Sequence, residues 1–236
     1  MALAGAGNVA DKNDNDLCYI RKVPNEIILE TLTYLKLEDI LNFKATCGPF
    51  RDVVEYNENM LARHSLFDHC HESMIPLAIA LQAAAVAPWK PSKLNPGLGA
   101  DLGMLHEYCE QYLGSSFEEG PALANLDLRS VVGMIAFYDA SLTIARYDCL
   151  LSFMPTTGDH PSNKQLKDSQ MAVYRMGIIG HLLHLTPIDP EAGDPAWDMF
   201  SRYISLKAKK ELECMRVVLC DLFISGKLIR IRPNLQ

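Results

Sequence analysis

The chain has 236 residues, 49% hydrophobic and 22% charged, with a formal net charge of -7. That is apolar sequence enough for one sizeable core or two small ones, and it excludes wholesale disorder. The acidic balance argues against nucleic acid as a partner. No apolar run reaches the ~18–20 residues of a membrane span, since 74–88 is broken by Pro76 and Gln82 and 131–154 carries Asp139, Arg146 and Asp148. The expectation is therefore a soluble chain without membrane contact.

Residues 1–16 are small and rich in Asn and Asp, a composition that predicts a mobile tail. Structure is expected from Leu17 onward, with a dense group of short helices from Val23 to about Asn57. Pro24 opens the first of these, with Glu26 in its first turn beside the positive dipole end. Ile28, Leu32 and Leu35 share one face, Ile27, Thr31 and Tyr34 a neighbouring stripe, and Leu29 the far side. Apolar over so much of its circumference, this helix is expected to be buried on more than one side.

Leu37 leads into a second helix bearing Ile40, Leu41 and Phe43. Gly48 is placed to end it in the left-handed conformation, and Pro49 to start a third carrying Phe50, Val53 and Val54. Three short helices in about 35 residues do not enclose this much apolar surface unaided, so either the rest of the chain or another protein must cover them.

Further on, Pro- and Gly-rich breaks fall at 87–99, 155–162 and 186–195. Between them the spacing predicts helices at 73–86, 100–117, 126–154, 165–185 and 195–225. The last has Asp194 as N-cap and Pro195 in its first turn. Its buried stripe is Phe200, Tyr203, Ile204, Leu212, Met215, Val218, Leu219 and Leu222. Only 227–232 (KLIRIR) alternates as a strand does. No repeat of 20–50 residues is present. The fold class is all-α.

The segment VPNEIILETLTYLKLEDILNFKATCGPFRDVVEYN resembles an F-box. The resemblance lies in Val23-Pro24-x-Glu26-Ile27-Ile28-Leu29, in Leu32, Leu35 and Leu37, in the Asp39-Ile40-Leu41 step, and in Cys47, Phe50-Arg51 and Val53-Val54. Two positions depart from the family pattern: Phe50 stands where Trp is usual, and Gly48-Pro49 replaces a basic pair. The resemblance covers about 35 residues.

It implies a three-helix F-box-like module over 17–60, followed by a helical C-terminal domain over 61–236. It also implies docking on the Skp-type adaptor of a cullin ubiquitin ligase through Pro24, Ile28, Leu29, Leu32, Leu35, Leu37, Ile40 and Leu41. Cys47, Phe50, Val53 and Val54 would hold the third helix. The C-terminal region would recruit a protein substrate of unknown identity for ubiquitination. A docking module of this kind is expected to leave Ile28, Leu32 and Leu35 largely exposed in the lone chain. The rival reading is a single all-α domain that binds a small molecule or acts as an unrecognised enzyme. In that case the same three side chains are buried against 126–225.

No catalytic, cofactor or metal site is expected. Gly5-x-Gly7-x-x-Ala10 matches a dinucleotide loop in letters but has no strand before it, and Gly97-x-Gly99 fails for the same reason. His64, His69, Cys70 and His71 form the densest group of metal-ligand types but lack a second pair. His181 and His184 lie one turn apart without the Glu of a zinc-hydrolase motif. Asp139, Arg146 and Asp148 read as a polar stripe. The seven cysteines are scattered without framework spacing, as free core thiols are, and no signal peptide is evident, so a cytoplasmic or nuclear setting is expected. Charge is uneven: residues 65–199 hold 7 basic and 16 acidic side chains, residues 200–236 hold 8 and 3. The basic end reads as a solvated helix face.

Overall fold

The computed structural model describes residues 23–87, 99–114, 123–157, 161–183 and 195–224. Among them are ten α-helices and no strand, so the protein is all-α. The helices are α1 (Asn25–Thr33), α2 (Leu37–Thr46), α3 (Gly48–Tyr56), α4 (Glu58–His69), α5 (Ile75–Val86), α6 (Gly99–Tyr112), α7 (Leu128–Thr157), α8 (Asn163–Leu183), α9 (Pro195–Arg202) and α10 (Leu206–Ile224). The 1–16 tail and the 227–232 strand expectation lie outside the described residues, as do Cys18, His184 and Asp194.

Helix α8 is the hub. It packs against α5, α7 and α10, while α6 joins the assembly through α5 and α9. Its fully buried members Tyr174, Ile178 and Leu182 recur at four-residue steps, which places them on one stripe facing α5 and α7. Gly177 on this helix permits close approach: a Cβ there would lie 3.0 Å from both Leu81 Cδ1 on α5 and Phe137 Cζ on α7. A larger residue there would press on side-chain ends from both neighbouring helices, so the glycine eases the packing of α8 against α5 and α7.

The N-terminal helices build outward from α4. Helix α1 packs on α3 and α4, α2 on α3 and α7, and α4 on α7. Their buried residues Ile28, Leu32, Ile40, Val53 and Val54 belong to one contiguous core with Leu61, Leu128, Tyr174 and Phe200. Helix α4 was not legible in the sequence. Its only buried side chains are Leu61, Ala62 and Leu66, with polar or His residues between them, so the helical period is faint. A boundary at residue 60 falls inside it.

Three local expectations are corrected. The long 195–225 helix is two helices, α9 and α10, because Ser205 starts a new one: its Oγ accepts from the Ala208 N–H at 3.1 Å and its carbonyl from the Lys209 N–H at 3.0 Å. Gly48 does not end α2 in the left-handed conformation. Extended Cys47 (φ -156°, ψ 162°) both closes α2 and precedes α3, in which Gly48 is the first residue. Finally, Leu128–Leu151 is long and apolar enough by length and composition to cross a membrane, with mean hydropathy 1.3, so interruption by Asp139, Arg146 and Asp148 does not exclude it on that ground. In the fold this segment packs against α4, α5 and α8, and 33% of its apolar window is buried.

Candidate functional site

Two surfaces stand out: the outer face of α1–α3, and a groove bounded by α7, α8, α9 and α10. On the first, Pro24 is the N-cap of α1 with φ -55° and ψ 140°, its carbonyl accepting from the Ile27 and Ile28 N–H groups at 3.0 and 3.2 Å. The helix that follows is buried on one side only. Ile28 and Leu32 turn inward, Leu32 with no exposed surface, whereas Ile27 is 51% and Tyr34 82% exposed. Burial on more than one side is thus corrected: among the described residues α1 packs chiefly on α3 and α4.

The residues implicated in docking divide accordingly. Ile28, Leu32 and Ile40 are core residues, Leu29, Leu35, Leu37 and Leu41 are half-buried against that core, and Pro24 is exposed. The expectation that Ile28 and Leu32 stand exposed in the lone chain is corrected, since α3 and α4 cover them, and Leu35 is half-covered. Val53 and Val54 are buried, and Cys47 and Phe50 half-buried. Phe50 stacks on Phe43 with ring centroids 3.7 Å apart, holding α3 to α2. Lys44 adds ion pairs to Glu55 and Glu58, each at 3.5 Å. Between α1 and α3 a recess of about 630 Å³ is lined by Glu26, Leu29, Asp52, Val53 and Tyr56, and Tyr56 is 90% exposed.

The second surface is a groove of about 670 Å³. Its apolar walls come from Ile144 on α7, Val173 and Ile179 on α8, Trp197 on α9 and Leu212 on α10. Lys209, Glu213 and Arg216, one turn apart along α10, bring charge to it. Sequence reading found the stripe of α10 that packs inward but missed the groove, because its walls come from four separate segments of the chain.

The polar clusters singled out from sequence are dispersed. His69 Nε2 lies 3.2 Å from Asp139 Oδ1, joining α4 to α7. His71 Nδ1 accepts from the Ser73 N–H at 3.2 Å and so caps the short 3-10 turn Glu72–Met74. His64 is exposed and Cys70 buried. Burial, with the Asp139 charge nearby, pushes the Cys70 thiol up to about 12. Among the described residues no group of three His, Cys, Asp or Glu side chains is placed to hold a metal ion.

Asp148 accepts the Ser169 hydroxyl at 2.6 Å, Arg146 is exposed and His181 is exposed at the end of α8. Part of the basic end is engaged rather than merely solvated. Lys207 reaches Asp168 at 2.6 Å and Glu211 at 3.2 Å, and Arg175 lies 3.6 Å from Glu211. The Asp168 bond raises the Lys207 ammonium above its ordinary value, while burial lowers Arg175.

Compared with family models, with curated proteins and with solved structures, the chain matches none.

Proposed function

We propose that the protein is a non-enzymatic adaptor. Helices α1–α3 dock on a Skp-type subunit of a cullin ubiquitin ligase, and the helices from α4 onward recruit a protein substrate for ubiquitination. The observation that carries this reading is the outward apolar face of α1–α3. Pro24, Ile27, Tyr34 and Tyr56 are exposed, and Leu29, Leu35, Leu37 and Leu41 are half-covered. They lie within the segment that carries the F-box-like motif. Apolar side chains in that arrangement have surface left to bury against a partner, at about 25 cal/mol per Å² of apolar area removed from water. The mechanism is proximity: a tethered substrate presents its lysines to a charged ubiquitin-conjugating enzyme at high effective concentration, and the adaptor makes no covalent bond.

The test is co-purification of the full chain with a Skp-type adaptor. Leu32 is a core residue, and its truncation would cost about 2–5 kcal/mol of folding stability, so Leu32→Ala does not isolate docking. Ile27→Asp and Leu35→Ala act at the exposed and half-exposed positions instead. A stoichiometric complex with the wild-type chain, lost in Ile27→Asp/Leu35→Ala while the helical circular dichroism is kept, is the expected result. A well-folded wild-type chain that forms no complex, or a folded double variant that binds undiminished, overturns the proposal.

A second reading rests on the continuity of the core from Ile28 to Leu212: a single all-α domain in which α1–α3 are ordinary structural helices. Failure of the co-purification returns α1–α3 to that role.

A further inference from the structure

The break between α9 and α10 sets one serine hydroxyl apart from the others. Ser205 lies outside both helices, after Arg202 ends α9 and before Leu206 begins α10, and it is exposed. Its Oγ accepts from the Ala208 N–H at 3.1 Å, while its own proton goes to no acceptor among the described residues. Thr31, Thr143 and Ser201 differ. Each sits within a helix and donates back to a carbonyl three or four residues earlier, at 2.7, 3.0 and 3.0 Å. The Ser205 hydroxyl is thus open to an incoming group at a point where the backbone is not helical.

The chain around it is cationic. Residues 202–210 (RYISLKAKK) carry four basic side chains and no acidic one. Lys207 is held by Asp168 and Glu211. Arg202 is exposed, makes no ion pair among the described residues and stands three positions before the serine. No other Ser or Thr of the chain has Lys or Arg at that spacing. Kinases select substrates by charge pattern, and an acidic substrate groove pairs with a basic residue ahead of the acceptor hydroxyl. Leu206, 72% exposed directly after the serine, offers an apolar contact on the other side.

We propose that Ser205 is a phosphorylation site for an arginine-directed serine kinase. The kinase's carboxylate takes the Ser205 proton, and Oγ forms a bond to the γ-phosphorus of a nucleoside triphosphate. The bond from that phosphorus to the bridging oxygen breaks, and the nucleoside diphosphate leaves with it. The product brings a charge of about −1.5 to −2 to the first turn of α10, beside Arg202. There it meets the positive dipole end and the free N–H groups of a helix start, so the modification strengthens the cap that begins α10. The site lies on helices other than α1–α3 and does not depend on adaptor docking.

Full-length native protein is incubated with a calmodulin-dependent serine kinase, which reads arginine at that spacing, and with γ-labelled ATP. The expected result is one phosphate per chain, mapped by peptide mass to Ser205, and a thermal midpoint raised by about 2–4 °C. Arg202→Gln, a surface change, keeps the helical circular dichroism and slows incorporation about tenfold for want of the charge. Ser205→Asn keeps a capping side chain and abolishes incorporation. The proposal is overturned by native wild-type protein that takes no phosphate while a control peptide in the same tube is labelled, or by phosphate mapped to another residue. An undiminished rate in Arg202→Gln, or a midpoint that does not rise on phosphorylation, overturns it equally.

Discussion

The side-chain amide of Asn59 on α4 donates to the Leu123 carbonyl at 2.8 Å, across 64 positions of sequence, and to the Leu126 carbonyl at 3.1 Å. One half-buried amide thereby satisfies two carbonyls of the turn that leads into α7, and fixes the N-terminal helices against the start of the longest helix. The Leu123 carbonyl also accepts from the Leu126 N–H at 3.4 Å, so the amide supplements one turn hydrogen bond and adds one to the Leu126 carbonyl.

Asn59→Ala removes both hydrogen bonds, leaving the Leu123 carbonyl with its 3.4 Å bond from the Leu126 N–H and the Leu126 carbonyl without the amide. A loss of about 1–3 kcal/mol is expected, seen as a lower midpoint in urea without a change of slope. Asn59→Asp, which keeps the shape but offers acceptors to acceptors, should be at least as costly. A midpoint unchanged in both variants would refute the clasp.

Asp127 supplies the pH-dependent counterpart one residue before α7. Its Oδ1 accepts from the Ser130 N–H at 2.6 Å, and that bond, with a side-chain bond to Ser130, holds its carboxyl below the usual carboxylate value. Because the folded value is the lower of the two, the stabilisation is complete above the unfolded value near pH 4 and is lost as pH falls through the folded one. Asp127→Ala should therefore cost about 1 kcal/mol at pH 7. The difference from wild type should shrink as pH falls below about 4. Unfolding midpoints compared at pH 7 and pH 3 read this directly.

Tyr174 sits at the centre of α8 with its hydroxyl buried and without a hydrogen-bond partner among the described residues. Burial raises the phenol well above its ordinary value. The neighbouring Ser141 gives its proton to the Tyr138 carbonyl at 2.8 Å and receives the Gln170 amide at 3.0 Å. Tyr174→Phe removes an unpaired polar atom and keeps the ring that packs edge-on to Phe137 at 4.9 Å. It should raise stability by about 1 kcal/mol, read as a higher thermal midpoint. A drop of similar size would show that the hydroxyl is satisfied.

The thiols should divide by burial. Cys70 and Cys109 are buried and pushed up to about 12 by desolvation, and Cys149 is buried and raised for the same reason. Thiolate is the reactive form, so among the described cysteines brief iodoacetamide treatment of the native protein at pH 7.5 should label exposed Cys214 first and half-buried Cys47 next. Cys70, Cys109 and Cys149 should be labelled only after unfolding, as mapped by peptide mass. Early labelling of any of these three would contradict the packing of α4, α6 or α7.

Long helices bounded by Pro- and Gly-rich breaks were legible. The ranges expected at 73–86 and 165–185 coincide with α5 (Ile75–Val86) and α8 (Asn163–Leu183), and Pro24, Pro49 and Pro195 each stand at or next to a helix start. What escaped had a physical reason in each case. Helix α4 buries too few side chains to show a period, and the break between α9 and α10 depends on one serine whose capping role is visible only once its hydroxyl has a direction. Of the docking residues, sequence spacing grouped Ile28, Leu32 and Leu35 on one face. Whether a face turns toward the protein or away from it is not a property of its own helix.

That division is general for this chain. Composition and local periodicity determined that it is all-α, where most helices lie and which residues are apolar enough to be buried, because propensity, capping and the 3.6-residue repeat act within a few residues. Only the tertiary structure decided that Leu32 is core while Ile27 is surface, that His69, Cys70 and His71 part company, and that Lys209 and Gly180 meet at one groove. These outcomes follow from contacts between distant segments, whose pairing depends on how four or more helices pack and on no single stretch of sequence.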